Sequence, residues 1–227
     1  MPTAQTVLGP VEVADLGRVL HHEHLLSLTP GAWCCSCAGS PLGEVGAAQV
    51  DLAVSSLSRL TEFEVRTVVD LSPYGVVGRD NRGTNVDLLA EISERSGIHV
   101  ISGTATYLEA FSPAWAVQAD IDELTSRFIA DLSEGIDGSH IRAGVLGEQA
   151  TSLGVITPFE ERCLRASARA HRVTGVSVIT HTTHGTMALE QLDVLEQEGA
   201  DLSRVVVGHM DTHPDLADDK IMRQAWS

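Results

Sequence analysis

Leu20-His21-His22-Glu23-His24 closes the first apolar run of the chain. On a β-strand, side chains two apart point the same way. His22 and His24 therefore share one face, and His21 and Glu23 share the other. Only one of these pairs can point into a closed or curled sheet. Two imidazoles facing one point are arranged as metal ligands are, so a His-x-His at a strand end predicts further ligands at the ends of later strands.

The rest of the chain has the rhythm that such a sheet needs. Strands are predicted at Arg18–His24, Thr67–Leu71, Ile98–Gly103, Ile141–Glu148, Val176–His181 and Val205–His209. Several are nearly continuous in Val and Ile, as strands covered on both faces are. Helical stripes lie between them, such as Ile121, Leu124, Phe128, Leu132 and Phe159, Cys163, Ala166, Ala170. Thr157-Pro158-Phe159-Glu160 reads as a capping box with proline at the first helical position. Gly97, Gly175 and Gly199 read as helix stops.

Repeated strand–helix alternation predicts a parallel sheet with right-handed crossovers. An open doubly wound sheet and a closed barrel both satisfy it. The polar residues decide between them: His22, His24, Asp70, Glu148, His181 and His209 all fall at predicted strand ends. A ring of functional residues from separate strand ends is how barrel sites are built, whereas an open sheet gathers its site at one switch point. No glycine-rich phosphate fingerprint follows the first strand. The fold class read from the sequence is α/β, of the TIM-type (β/α)8 barrel, with about six β/α units present. No linker, repeat or low-complexity segment divides residues 1–227, which read as one domain.

Composition narrows the function. Net charge is −16, from 15 basic and 31 acidic residues, a surface that repels nucleic-acid backbones and anionic membranes. No apolar run approaches the ~20 residues of a membrane helix. The start, Met1-Pro2-Thr3-Ala4-Gln5, lacks the basic and apolar regions of a secretory signal, so the expected location is the cytoplasm. Lys220 is the only lysine, and it stands in the last helix-like segment. Cys34, Cys35 and Cys37 are too close together for a disulfide framework and read as free thiols in a loop. The same loop, Trp33–Cys37, is placed to overhang a site, and Tyr107 follows the third strand.

His181 and His209 each close an apolar run, and either alone is equally served by a hydrogen bond in the core. Four histidines at three strand ends favour metal ligation, because imidazole is a common ligand for zinc and similar ions. Glu148 ends Gly144-Val145-Leu146-Gly147-Glu148. A carboxylate at the end of a buried strand is costly unless it is paired or metal-bound, and its two oxygens can bridge two cations.

At this point the residues resemble a family. From Gln5-Thr6-Val7-Leu8-Gly9-Pro10 to about Leu216, the chain is similar to the phosphotriesterase family of the amidohydrolase superfamily, in its homology-protein branch. The resemblance is carried by Leu20–His24, Ile141–Glu148, Thr157-Pro158-Phe159, Thr180-His181-Thr182 and Leu202–His209. It implies a distorted barrel holding two divalent metal ions, usually zinc (Zn2+), with manganese (Mn2+) or cobalt (Co2+) as alternatives. By match, His22 and His24 bind the more buried ion, and His181 and His209 the more exposed one. The family bridges its metals with a carbamylated lysine or a glutamate. No lysine stands on the fourth strand, so the resemblance gives the bridge to Glu148. The implied reaction is metal-assisted hydrolysis of a small-molecule substrate, an ester, lactone, amide or phosphotriester, with Tyr107 as a substrate-binding residue.

Two departures accompany the resemblance. Glu148-Gln149-Ala150 stands where the branch has Glu-Ile-Gly. The family also continues with two further strands, the last carrying an aspartate that binds the buried metal. Asp211 and His213 come too early to match it. The chain is therefore expected to be an incomplete family member. Unpaired edges on its first and sixth strands are expected to be covered by a homo-oligomer or a C-terminal partner, or accommodated in a relaxed six-stranded fold. A metal- or ligand-binding relative without catalysis is the alternative function.

Overall fold

Six apolar runs pair into one parallel sheet whose strand order is the order of the chain. The computed structural model describes residues 1–26, 47–76 and 78–212. Its elements are β1 (Thr3–Thr6), β2 (Gly9–Glu12), β3 (Arg18–Glu23), α1 (Ala47–Leu60), β4 (Val65–Asp70), α2 (Val86–Ser96), β5 (His99–Thr104), α3 (Ala114–Gln118), α4 (Ile121–Ser133), β6 (Val145–Thr151), α5 (Pro158–Thr174), β7 (Val178–Thr182), α6 (Ala188–Gln197) and β8 (Val205–Gly208). The large sheet runs β3-β4-β5-β6-β7-β8, and every neighbouring pair is parallel. A doubly wound sheet reverses its order at a switch point; this one never does. It is the curled six-strand portion of a (β/α)8 barrel, with helices on its outer face.

Alternation along the strands feeds two cores. Val68, Val100, Leu146 and Val178 face outward and pack with Leu89, Ile92, Leu124, Phe128, Phe159 and Leu164 of the helices. Val69, Leu71, Ile101, Val145 and Ile179 form a smaller inner cluster, closed by Ala4. Burying a side chain the size of Phe128 contributes about 1.5–3 kcal/mol, so the outer layer carries most of the stability.

The helix boundaries follow local chemistry. Thr157 caps α5 in a reciprocal box with Glu160, and Pro158 occupies its first turn. Gly97 and Gly175 end α2 and α5 in the left-handed conformation, at φ 73° and 71°. Gly199, at φ 81°, donates its N–H to Glu196 just after α6. Of the two predicted stripes, Leu124, Phe128, Leu132, Cys163, Ala166 and Ala170 are buried, while Ile121 is only partly so.

The structure corrects the fourth predicted strand. Ile141–Glu148 is not its extent: β6 begins at Val145 and runs on through Gln149, Ala150 and Thr151. Residues before Gly144, whose own N–H donates to Ser102 O of β5 at 2.8 Å, spend their backbone groups elsewhere. Ile141 O accepts from Ile136 N, and Ala143 N donates to Asp131 O, so they close the turn after α4 and do not join the ladder. Glu148 thus lies inside the strand, at a register shift between Leu146 and Gln149.

The β1–β2 hairpin has no counterpart among the expected elements. Its strands are four residues each, too short for a clear period-two pattern. It is tied to the start of the barrel strands by Val7 N–H to Val100 O at 2.8 Å and Arg142 Nη2 to Gln5 Oε1 at 2.6 Å. Gly144 permits this approach, because a Cβ there would lie 2.3 Å from Gln5 O.

Trp33–Cys37 with its three cysteines, His213, Lys220 and the helix-like Asp215–Trp226 lie outside the described residues. Cys163 is buried and unpaired, and burial pushes its thiol up to about 12. Among the described residues, no helix is long and apolar enough to cross a membrane.

Candidate metal centre

Glu148 is the hub of the concave face. Its side chain is 3% exposed, and four imidazoles surround it. His181 Nδ1 lies 2.9 Å from Oε2, His22 Nε2 3.1 Å and His209 Nε2 3.3 Å, while His24 Nε2 lies 3.4 Å from Oε1. These side chains come from β3, β6, β7 and the residues just past β3 and β8.

The local backbone explains the convergence. Simple alternation does not operate through the His-x-His stretch, because the β3–β4 register shifts between Leu20 and Glu23. His24 then stands one residue beyond β3, and its partner His22 is on the strand. His209 follows Gly208 at φ 60°, a left-handed turn that ends β8. Gly208 permits the close approach of β7 just before that turn, because a Cβ there would lie 2.5 Å from Thr180 O. Gln191 of α6 donates to His181 O at 2.9 Å and to Thr151 Oγ1 at 2.7 Å, fixing the end of β7.

The five residues separate into two triads that share Glu148. In each, His22–His24–Glu148 and Glu148–His181–His209, the ligand atoms lie within 4.8 Å of one another. Two imidazoles and a carboxylate are the donor set that zinc-like divalent ions take. Geometry inside the first triad also fits an ion. His22 Nε2 is close to Glu148 but not aligned as a hydrogen bond, so a buried ring nitrogen lacks a hydrogen-bond partner. A bound cation is what that nitrogen is placed to meet. No carboxylate besides Glu148 joins either triad among the described residues.

Electrostatics are set by the same contacts. Burial alone would raise the Glu148 carboxyl; the close imidazoles of His181, His209, His22 and His24 override it and hold the group well below the usual carboxylate range. Burial works against the His24 imidazolium, yet its bond to Glu148 and the charges of Glu148, Asp70 and Glu23 raise its pKa above the ordinary value.

Tyr107 is brought to the site. Its ring is buried and its hydroxyl lies 3.1 Å from His181 Nε2, the nitrogen facing away from Glu148. Ser72 stands in the same relation to His24, with Oγ 3.3 Å from Nδ1. Ser72 was not singled out from the sequence, and the one signal for it is Asp70-Leu71-Ser72, which puts both polar residues on a single face at the end of β4. Gln149 is fully buried beside the hub, donating to Thr106 O at 3.1 Å and Thr106 Oγ1 at 2.8 Å. A pocket of about 300 Å3 opens between β3 and α1, lined by Leu20, Glu23, His24, Leu57 and Val68 among others. It is largely apolar and excludes Glu148, so it is not the centre of the candidate chemistry.

Comparison with known proteins points the same way as the geometry. Residues 2–225 match the model of the phosphotriesterase family. A phosphotriesterase homology protein of Escherichia coli (strain K12) is 39% identical over 162 residues, covering 70% of this chain and 55% of that protein. An aryldialkylphosphatase of Saccharolobus solfataricus is 32% identical over 204 residues, covering 88% of this chain and 60% of that protein. A solved structure, from the engineering of organophosphate hydrolysis on a weak promiscuous lactonase template, superposes with a TM-score of 0.82 at 33% identity. That alignment covers 99% of this chain and 67% of the solved one. The chain thus spans little more than half the length of the two relatives described.

Proposed function

This chain belongs to the phosphotriesterase family, and on that premise we propose that it is a metal-dependent hydrolase with a two-ion centre bridged by Glu148. The observation that carries the reading is the pair of triads meeting on one buried carboxylate. His22 and His24 would hold one divalent ion, His181 and His209 the other, and Glu148 would serve both. Bound ions, zinc by family habit with manganese or cobalt as alternatives, supply Lewis acidity and acidify a water for attack on a carbonyl or phosphoryl centre.

The chain's own residues supply placement. Glu148 is kept ionised by its four imidazoles, which is the state a bridging ligand needs. Tyr107 orients His181 and borders the substrate side of the second triad, with Phe111 packed 6.3 Å from its ring centroid. The substrate is a small molecule of the ester, lactone, amide or phosphotriester class.

Metal analysis and a substrate panel test this together. The full chain, purified with zinc, manganese or cobalt, is expected to retain about two ions and to hydrolyse at least one ester, lactone, N-acyl amide or phosphotriester in a chelator-sensitive manner. Folded protein that binds both ions yet turns over nothing overturns the hydrolase reading, and protein that binds none overturns the metal centre as well.

A further inference from the structure

Ser72 lies on the far side of His24 from Glu148. Its Oγ is 3.3 Å from His24 Nδ1, while His24 Nε2 is 3.4 Å from Glu148 Oε1. A neutral imidazole carries one N–H and one lone pair, so a partner at one nitrogen decides what the other presents. What holds Ser72 is Asp70. The Ser72 N–H donates to Asp70 Oδ1 at 3.2 Å, and Asp70 Oδ2 accepts from Leu25 N at 2.8 Å. Leu25 directly follows His24. A single carboxylate therefore fixes the backbone just after the histidine and the backbone of the hydroxyl that meets its ring.

The carboxylate is built in. Asp70 is 1% exposed, and the buried Arg79 approaches it with Nη2 3.5 Å from Oδ1 while donating to Ser102 Oγ at 2.9 Å. A buried charge is costly without partners, and neither Asp70 nor Ser72 reaches Glu148 or takes part in the hydrolytic reading above. The second triad is held differently. His181 turns Nδ1 to Glu148 and Nε2 to Tyr107, the opposite assignment to His24.

We propose that Asp70 and Ser72 form a positioning unit for His24. Nδ1–H of His24 donates to Ser72 Oγ, which leaves the Nε2 lone pair aimed at the space beside Glu148. The affinity of the first triad for a divalent ion then depends on a hydroxyl outside it. This rests on the metal-centre reading, and because the two triads use different supports, loss of the Ser72 hydroxyl acts on one ion alone.

Cobalt titration of the metal-free full chain, followed by its visible absorption and by competition with a chromophoric chelator, tests the unit. Wild type is expected to bind two ions. S72A is expected to bind one of them about 10–100-fold more weakly and the other as before. S72T, which keeps the hydroxyl, is expected to restore the lost affinity, and S72A in a His24→Gln background is expected to add no further loss. Thermal melts in chelator report folding independently of metal. Two ions bound by S72A at wild-type affinity overturn the positioning unit and leave the metal centre standing. No cobalt bound by wild type overturns the metal centre, and the unit with it. Equal loss in S72A and S72T, with lowered melts in both, also overturns the unit by assigning the effect to packing.

Discussion

His22 and His209 stand on the two edges of the six-stranded sheet, and their ring centroids lie 4.6 Å apart. Neighbouring strands are spaced by ~4.8 Å, so five steps across a flat sheet would separate these edges by about 24 Å. The curl of the sheet closes nearly all of that distance at its C-terminal end. Glu148, from a strand between the edges, can then touch His22 and His24 from one side and His181 and His209 from the other. Fold and candidate site are in this sense one fact.

Glu148→Gln tests the hub directly. The amide keeps the size of the side chain but removes the charge that faces all four imidazoles. Metal retained after dialysis, measured by elemental mass spectrometry, is expected to fall from about two ions per chain to fewer than one. His181→Ala is expected to weaken one ion only. Full occupancy in Glu148→Gln would remove the carboxylate from the ligand set.

Without metal, His24 and Glu148 make stability depend on pH. His24 has a folded pKa raised above 6.5, burial opposing and Glu148 prevailing, so its contribution is complete below 6.5 and is lost as pH rises through the folded value. Glu148 is held well below 4.5, so its contribution is present above 4.5 and is lost as pH falls through the folded value. Chelated protein is therefore expected to melt highest between about 4.5 and 6.5 and at lower temperature on the alkaline side. His24→Gln is expected to flatten the alkaline fall. Scanning fluorimetry with chelator across pH checks this, and a melting temperature that climbs steadily above neutrality would contradict it.

Much of this arrangement was legible in the sequence, and the reasons differ by residue. The presence of six strands and the α5 boundaries followed from apolar runs and from Thr157-Pro158-Phe159-Glu160, because local patterns and caps are set by neighbours in the chain. The five hub residues stood out as polar groups read at the ends of apolar runs. What was not legible depended on long-range geometry. The place of Glu148 inside β6 needs the register shift after Leu146, and the Ser72–His24 contact joins residues far apart in sequence. The β1–β2 hairpin is defined by what it packs against, which no local period reports.

A second buried carboxylate offers a stability test remote from the hub. Tyr74 OH and Thr104 Oγ1 both donate to Asp131 Oδ2 at 2.6 Å, and Arg127 Nε lies 3.1 Å from Oδ1. The Arg127 guanidinium also covers the Tyr74 ring at 4.9 Å, and Trp115 meets that ring edge-on. This network ties the loop after β4 to β5 and α4. Removing its acceptor leaves two hydroxyls and a guanidinium short of a partner, so Asp131→Ala is expected to cost at least ~2 kcal/mol in urea unfolding. Thr104→Val, which deletes one neutral donor, is expected to cost about 1 kcal/mol. Metal stoichiometry is expected to survive both, since no member of the network touches the triads.

Gly144→Ala asks whether the hairpin is a structural plug or an ornament. The position precedes β6, and its missing side chain is the space through which Gln5 O passes, 2.3 Å from where a Cβ would stand. The obstructing atom is backbone, so it cannot rotate away as a long side chain would. Ile101 Cγ2, at 2.8 Å, crowds the same point from inside the sheet. Either the hairpin lifts or the start of β6 shifts, and overpacking of this kind costs about 1–3 kcal/mol. Lifting the hairpin would break Val7 N–H to Val100 O and withdraw Ala4 from the inner cluster of Val69, Leu71, Ile101, Val145 and Ile179. Hydrogen exchange distinguishes the two responses. Faster exchange confined to the Val7 amide and the β1–β2 ladder identifies a hairpin that closes the barrel floor from outside. Faster exchange spread through β5 and β6, with metal affinity falling in step, would make the hairpin part of the frame that holds Glu148.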